Sequence, residues 1–298
     1  MSDITSPEQL TVALDAAGYL ADDGLATAAY LALALRRPLF VEGDAGVGKT
    51  ALAHALASVI DAPLIRLQCY EGLDAAQALY DWDFPRQLLH LRAVEAASRD
   101  SSVDAATLER EIYGRAFLLA RPLLQAIETS PSVLLVDEVD RADDEFEAFL
   151  LEVLSEFTVT VPELGTITAA QPPLVIVTSN RTREVHDALK RRCLYHWVPH
   201  PTFDREVAIV RRRCASASEA LARQVTAAVQ RLRDEDLLKP PGVAETIDWT
   251  DALVAVGAET LDGTAAARTL GAVLKYREDH DRVHEVGLTR LLAEAGRG

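Results

Sequence analysis

Apolar residues in this 298-residue chain change their spacing near position 200. Before it, short continuous apolar runs alternate with helical patterns. Leu39-Phe40-Val41, Val133-Leu134-Leu135-Val136 and Leu174-Val175-Ile176-Val177 are bounded by turn residues and read as buried strands. An alanine-rich helix is predicted over 51–59. A second carries Phe146, Phe149, Leu150, Val153, Leu154 and Phe157, spaced three and four apart. The segment from Val159 to Ile167 alternates around a Pro/Gly turn and predicts a β-hairpin. Strands alternating with helices imply a doubly wound parallel sheet. Beyond Pro199-His200-Pro201 the spacing is helical throughout, with breaks at Pro240-Pro241-Gly242 and Asp262-Gly263 that mark out three or four helices. The first 37 residues read as two short helices. Two domains are expected, an α/β core over 1–200 with a hairpin near 158–169, and an α-helical domain over 201–298.

Candidate chemistry sits at the ends of the apolar runs. Gly43-Asp44-Ala45-Gly46-Val47-Gly48-Lys49-Thr50 reads GxxxxGKT between a strand and a helix, the context a phosphate-binding loop needs. Glycines let successive backbone N–H groups face phosphate oxygens, Lys49 neutralises the β/γ charge, and the Thr50 hydroxyl reaches Mg²⁺. The run from Ser132 ends in two carboxylates. Asp137 suits a hard cation that keeps its water shell. Glu138 is placed to orient and deprotonate an attacking water, which favours hydrolysis over passive binding. The pair could instead cap the following helix, although 141–144 offers its own N-cap. Asn180, at the tip of a further strand, could hydrogen-bond the water and the γ-phosphate.

Together these residues resemble the AAA+ ATPases, and the hairpin before the Asn180 strand narrows the resemblance to the MoxR family. The stretch from Arg66 to Asp74 looks like that family's lead into an inserted helix. The segments 80–87 and 187–193 are most similar to CoxD-type accessory proteins of carbon monoxide dehydrogenase and related molybdenum hydroxylases. The resemblance implies a P-loop core with a five-stranded parallel sheet, helices on both faces, and a C-terminal α-helical lid. It also implies ATP and Mg²⁺ as cofactors, ATP hydrolysis, and assembly as a homo-oligomeric, hexameric ring. The implied work is chaperone-like maturation or metal-centre assembly of a metalloenzyme client, with a von Willebrand factor A domain protein as adaptor. A motor or loader acting on DNA or other macromolecular complexes is the alternative. Arg192 matches the arginine finger that acts on a neighbouring subunit's nucleotide, with Arg191 second; a basic pair could also merely complement a helix dipole. One departure is plain: the place of the family's sensor 2 arginine reads Lys239 to Trp249 with no arginine. Either the lid meets ATP differently or another residue, such as Arg268, serves.

Charge and cysteines limit the remaining choices. A formal net charge of -16 disfavours nucleic acid as the main partner, and Arg211-Arg212-Arg213 reads as a solvated or subunit-facing edge. Three cysteines without paired spacing suggest a reducing compartment. No basic leader precedes an apolar segment, and the run from Ala26 to Leu35 is too short to span a bilayer. A cytoplasmic protein is the expectation. Cys193, His196 and His200 have a ligand-like spacing, but Cys193 and His196 should face opposite sides of a strand, so no metal site is expected there.

Overall fold

The computed structural model describes residues 4–97, 104–288 and 290. The chain order is α1 (Pro7–Ala16), α2 (Asp23–Leu35), β1 (Leu39–Glu42), α3 (Lys49–Val59), β2 (Leu64–Gln68), α4 (Ala75–Leu79), β3 (Tyr80–Trp82), α5 (Phe84–Ala97), α6 (Ala105–Ile112), β4 (Leu118–Ala120), α7 (Pro122–Glu128) and β5 (Val133–Asp137). It continues with α8 (Asp144–Glu156), β6 (Thr158–Val161), β7 (Gly165–Thr168), β8 (Leu174–Ser179), α9 (Asp187–Arg192), β9 (Leu194–Trp197), α10 (Phe203–Arg213), α11 (Glu219–Arg233), α12 (Val243–Ala255), α13 (Gly263–Thr269) and α14 (Arg277–Val286).

The strands β2-β5-β8-β1-β9 form one sheet in that spatial order. The β2·β5, β5·β8 and β1·β8 pairs are parallel. This is the expected α/β P-loop sheet. Strands β1, β5 and β8 are buried along their whole length, which is why they read as continuous apolar runs. Phe40, Leu67, Leu134, Val136, Val175 and Val177 pack in one core with Phe146 and Leu150 of α8. The predicted hairpin is β6 paired antiparallel with β7, and its turn relies on Gly165 at φ +84°, a left-handed conformation that costs glycine little. A second antiparallel pair, β3 with β4, was not legible from the alternation because each strand is three residues long.

Compact units do not follow chain order. One is built on Asp23–Glu42 and Ala53–His196. The other joins Thr11–Asp22 and Gly43–Leu52 to the chain from Trp197 onward. The second unit has its own core, in which Val210, Val225, Val229, Trp249, Leu253 and Leu270 are buried together. Trp249 is fully buried and donates its indole N–H to Thr269 Oγ1 at 2.8 Å. Five α-helices follow residue 200 among the described residues rather than three or four; the short α13, with the sequence GTAAART, has no large apolar side chain to mark its buried face. Residues 1–3 and 291–298, the ends of the expected domains, lie outside the described residues.

Candidate functional site

Parallel strands bring their carboxyl ends to one edge of the first unit, the edge where such sheets bind ligands. Register sets Gln68 beside Asp137 and Glu42 beside Ser179. Asp137 is buried, and both of its oxygens are engaged. Oδ1 accepts from Thr178 Oγ1 at 2.6 Å, and Oδ2 accepts from Arg66 Nε and Nη2 at 3.0 and 2.6 Å.

Glu138 follows with φ +55° and ψ +52°, a left-handed conformation that costs a non-glycine residue about 1–2 kcal/mol. Its backbone N–H donates to Thr178 Oγ1 at 2.9 Å, so one hydroxyl ties both carboxylate residues to β8. Glu138 Oε1 accepts from Asn180 Nδ2 at 3.0 Å, and Oε2 accepts from Gln68 Nε2 at 3.1 Å, with Arg141 Nε 3.4 Å away. Thus Asp137, Glu138 and Asn180, selected from the sequence, lie in one polar cluster. Helix α8 is capped by Asp143, whose Oδ1 accepts from Phe146 N at 2.8 Å, which leaves Glu138 no capping task there.

Four members of the cluster escaped the sequence reading. Arg66 and Gln68 alternate along β2 and also bond to each other, so their side chains leave the same face. Thr178 is hidden in an apolar run. Asp140 is buried beneath the turn after β8, where it accepts from Asn180 N at 3.1 Å, Thr182 N at 2.8 Å and Thr182 Oγ1 at 2.6 Å. Two polar residues at every second position of an otherwise apolar strand were the available signal for the β2 pair.

The phosphate loop belongs to the second unit. Gly46 and Gly48 have φ +78° and +97°, so both need the freedom glycine has. Lys49 is buried and donates Nζ to Gly43 O at 2.8 Å and to Asp44 O at 2.7 Å, closing the loop on itself. Helix α3 starts at Lys49, two residues before the predicted start, and Leu52 N donates to Gly48 O at 3.1 Å. Its first amides and dipole therefore serve the loop. His200 Nε2 lies 3.3 Å from Asp44 Oδ2. Burial, and then the Arg233 charge, push the His200 pKa below its ordinary value against the pull of Asp44 and Glu206.

Against this loop, and within the same unit, is a cavity of about 210 Å³ lined by Tyr19, Val47, Gly48, Pro199, Ala244 and Ile247, among others. Burial holds the Tyr19 phenol well above its ordinary pKa. The lining comes from distant parts of the chain, which is why no local pattern marked it.

Arg191 and Arg192 end α9 and are exposed. Arg191 pairs with Asp187 at 3.0 Å one turn earlier, while the Arg192 carbonyl accepts from Arg37. Arg268 is exposed on α13. Burial pushes the Cys193 thiol up to about 12, and among the described residues no group of three or more His, Cys, Asp or Glu is arranged to hold a metal ion. No helix among the described residues is long and apolar enough to cross a membrane.

A family model described as the AAA domain (dynein-related subfamily) matches residues 38–193. No curated protein matches the sequence. Among solved structures, the chain is similar to the RuvB Holliday junction branch migration motor of Thermotoga maritima, at 16% identity and a TM-score of 0.45, covering 97% of this chain and 80% of that one. A variant of the same RuvB matches at 16% identity with a TM-score of 0.48, covering 99% of this chain and 82% of that one.

Proposed function

The chain belongs to the dynein-related subfamily of AAA domains, and from that premise we propose that it hydrolyses ATP to ADP and phosphate. The carrying observation is Glu138, whose carboxylate is held by Asn180 and Gln68 one residue beyond a buried strand-end aspartate. Gly43 to Thr50 hold the triphosphate, with backbone amides and Lys49 as donors. Lys49 then exchanges its loop carbonyl partners for phosphate oxygens. The 210 Å³ cavity against the loop takes the nucleoside.

A carboxylate and a hydroxyl are the oxygen donors that suit a hard divalent cation, which keeps most of its water shell. Asp137 and the Thr50 hydroxyl would hold Mg²⁺, which when bound supplies positive charge against the phosphate oxygens. Glu138 takes the proton from the attacking water. Asn180 orients Glu138, the water or the γ-phosphate through its amide. Arg192 acts on the nucleotide of a neighbouring copy as arginine finger, and Arg191 is the second choice.

The wider role follows the MoxR-like resemblance of the hairpin and of the 66–74, 80–87 and 187–193 segments. We infer a hexameric ring that remodels a metalloenzyme client during maturation or metal-centre assembly, working with a von Willebrand factor A domain adaptor in the cytoplasm. A net charge of -16 supports a protein client over DNA.

Two variants test the reaction. Glu138→Gln should retain ATP and lose turnover by about 10²-fold or more, the usual worth of a general base. Lys49→Ala should lose nucleotide binding. Undiminished ATPase activity in Glu138→Gln refutes the base assignment, and tight ATP binding by Lys49→Ala refutes the loop assignment. A pull-down with Glu138→Gln identifies the client by what stays bound.

A further inference from the structure

Where the resemblance leads one to expect an arginine, α12 begins instead with glycine against the phosphate loop. Its N-cap, Gly242, has φ -84° and ψ -172°, an extended conformation open to any residue. Backbone strain therefore does not demand glycine here. Contact does. A Cβ on Gly242 would lie 2.6 Å from Ala45 O and 3.0 Å from Gly46 Cα, both of them backbone atoms of the loop. From the loop side, a Cβ on Gly46 would lie 3.3 Å from Gly242 Cα. Ala244 N donates to Gly46 O at 3.2 Å and fastens the first turn of α12 to the loop.

A buried polar brace holds this contact from behind. Arg233 donates Nη1 and Nη2 to the two oxygens of Glu206 at 2.7 and 2.6 Å, and Nε to Pro241 O at 2.7 Å. Thr246 Oγ1 donates to Glu206 Oε1 at 2.7 Å and lies 3.1 Å from Gly242 O. Glu206 and Thr246 are fully buried. Removing two charges from water is costly, so such a pair does little for net stability and instead fixes geometry. The geometry it fixes is the Pro241-Gly242 step.

Resting on the ATP reading, we propose that Gly242 is a positioning residue for nucleotide binding. Lacking a side chain, it lets the start of α12 dock on the backbone of Ala45 and Gly46 and keep the loop in its phosphate-binding shape. The contact reaches the loop and not the γ-phosphate. ATP and ADP must therefore depend on it equally, whereas an arginine bonded to the γ-phosphate would favour ATP alone.

Gly242→Ser is the test. Serine caps a helix at least as well as glycine, and the flexible Glu245 carboxylate, 3.1 Å from the added Cβ, can give way, so the unyielding new demand is room for the side chain against the loop backbone. Bringing that Cβ from 2.6 Å to an ordinary contact of about 3.4 Å from Ala45 O requires the start of α12 or the loop to give way by roughly 0.8 Å. Fluorescent ATP and ADP analogues titrated with Mg²⁺ into the full chain should each bind about tenfold more weakly than to wild type, by a common factor. Should Gly242→Ser fail to fold, Thr246→Val loosens the brace without adding an atom at the loop. It should weaken both nucleotides alike, and Thr246→Ser, which keeps the hydroxyl, should restore them. Wild-type affinity in Gly242→Ser or Thr246→Val, or a loss confined to ATP, overturns the proposal. A wild-type chain that binds neither nucleotide overturns the ATP reading and this inference with it.

Discussion

Replacing Thr178 with valine removes one hydroxyl from the carboxylate cluster while nearly preserving side-chain shape. That hydroxyl is buried, donates to Asp137 Oδ1 at 2.6 Å and accepts from Glu138 N at 2.9 Å. A hydrogen bond to a charged group contributes about 1.5–3 kcal/mol, and an orphaned, partly buried amide costs about 1–3 kcal/mol. The second figure belongs at its low end, because Glu138 is only half-buried. A total near 3 kcal/mol is expected, enough to lower the melting temperature by roughly 6–12 °C for a unit of 150–250 residues. Urea denaturation monitored by circular dichroism measures the loss as a lower midpoint at unchanged slope. Because the same bond holds Glu138 in its left-handed conformation, ATPase activity measured well below the new midpoint should fall as well. Thr178→Ser keeps the hydroxyl and should retain most of both properties. A shift of less than about 0.5 kcal/mol in Thr178→Val, or a loss in Thr178→Ser as large as that in Thr178→Val, would refute this role of the hydroxyl.

Arg192→Ala should bind ATP nearly as wild type and hydrolyse it about 10³-fold more slowly, and mixing it with Glu138→Gln should return part of the activity. Mixed assemblies that stay inactive would move the finger to Arg191. His200 contributes a pH dependence whose sign follows from its lowered pKa. Between that lowered value and the ordinary value of about 6.5, the unfolded chain binds more protons than the folded one, so stability falls as pH drops below about 6.5. His200→Gln should flatten the melting-temperature profile in that interval, and an unchanged slope would dismiss His200 as its source. Burial lifts the thiols of Cys69 and Cys193 to about 12, so a thiol-alkylating reagent at pH 7.5 should leave both unmodified in the folded chain. Rapid labelling of either without unfolding would contradict that.

Residues adjacent in the chain carried most of what could be read early. Gly43 to Thr50 form a loop whose shape depends on local backbone freedom, so the left-handed Gly46 and Gly48 are legible as glycines between a strand and a helix. The runs that became β1, β5 and β8 were legible because a strand buried on both faces has no polar face to show. Asp137, Glu138 and Asn180 stood out as polar residues ending such runs. Their mutual geometry did not, since a hydrogen bond from Asn180 to Glu138 depends on β5 lying beside β8, a pairing made by packing across more than 30 residues of chain. Gln68 and Arg66 joined the cluster through the register of β2 on β5. Chain order placed Gly43 to Thr50 with the strands, whereas long-range packing grouped Gly43–Leu52 with the helical residues after Trp197. The docking of Gly242 on Gly46 belongs to the same class. Local spacing decides which backbone shapes a segment can take, and tertiary burial decides which of those segments meet.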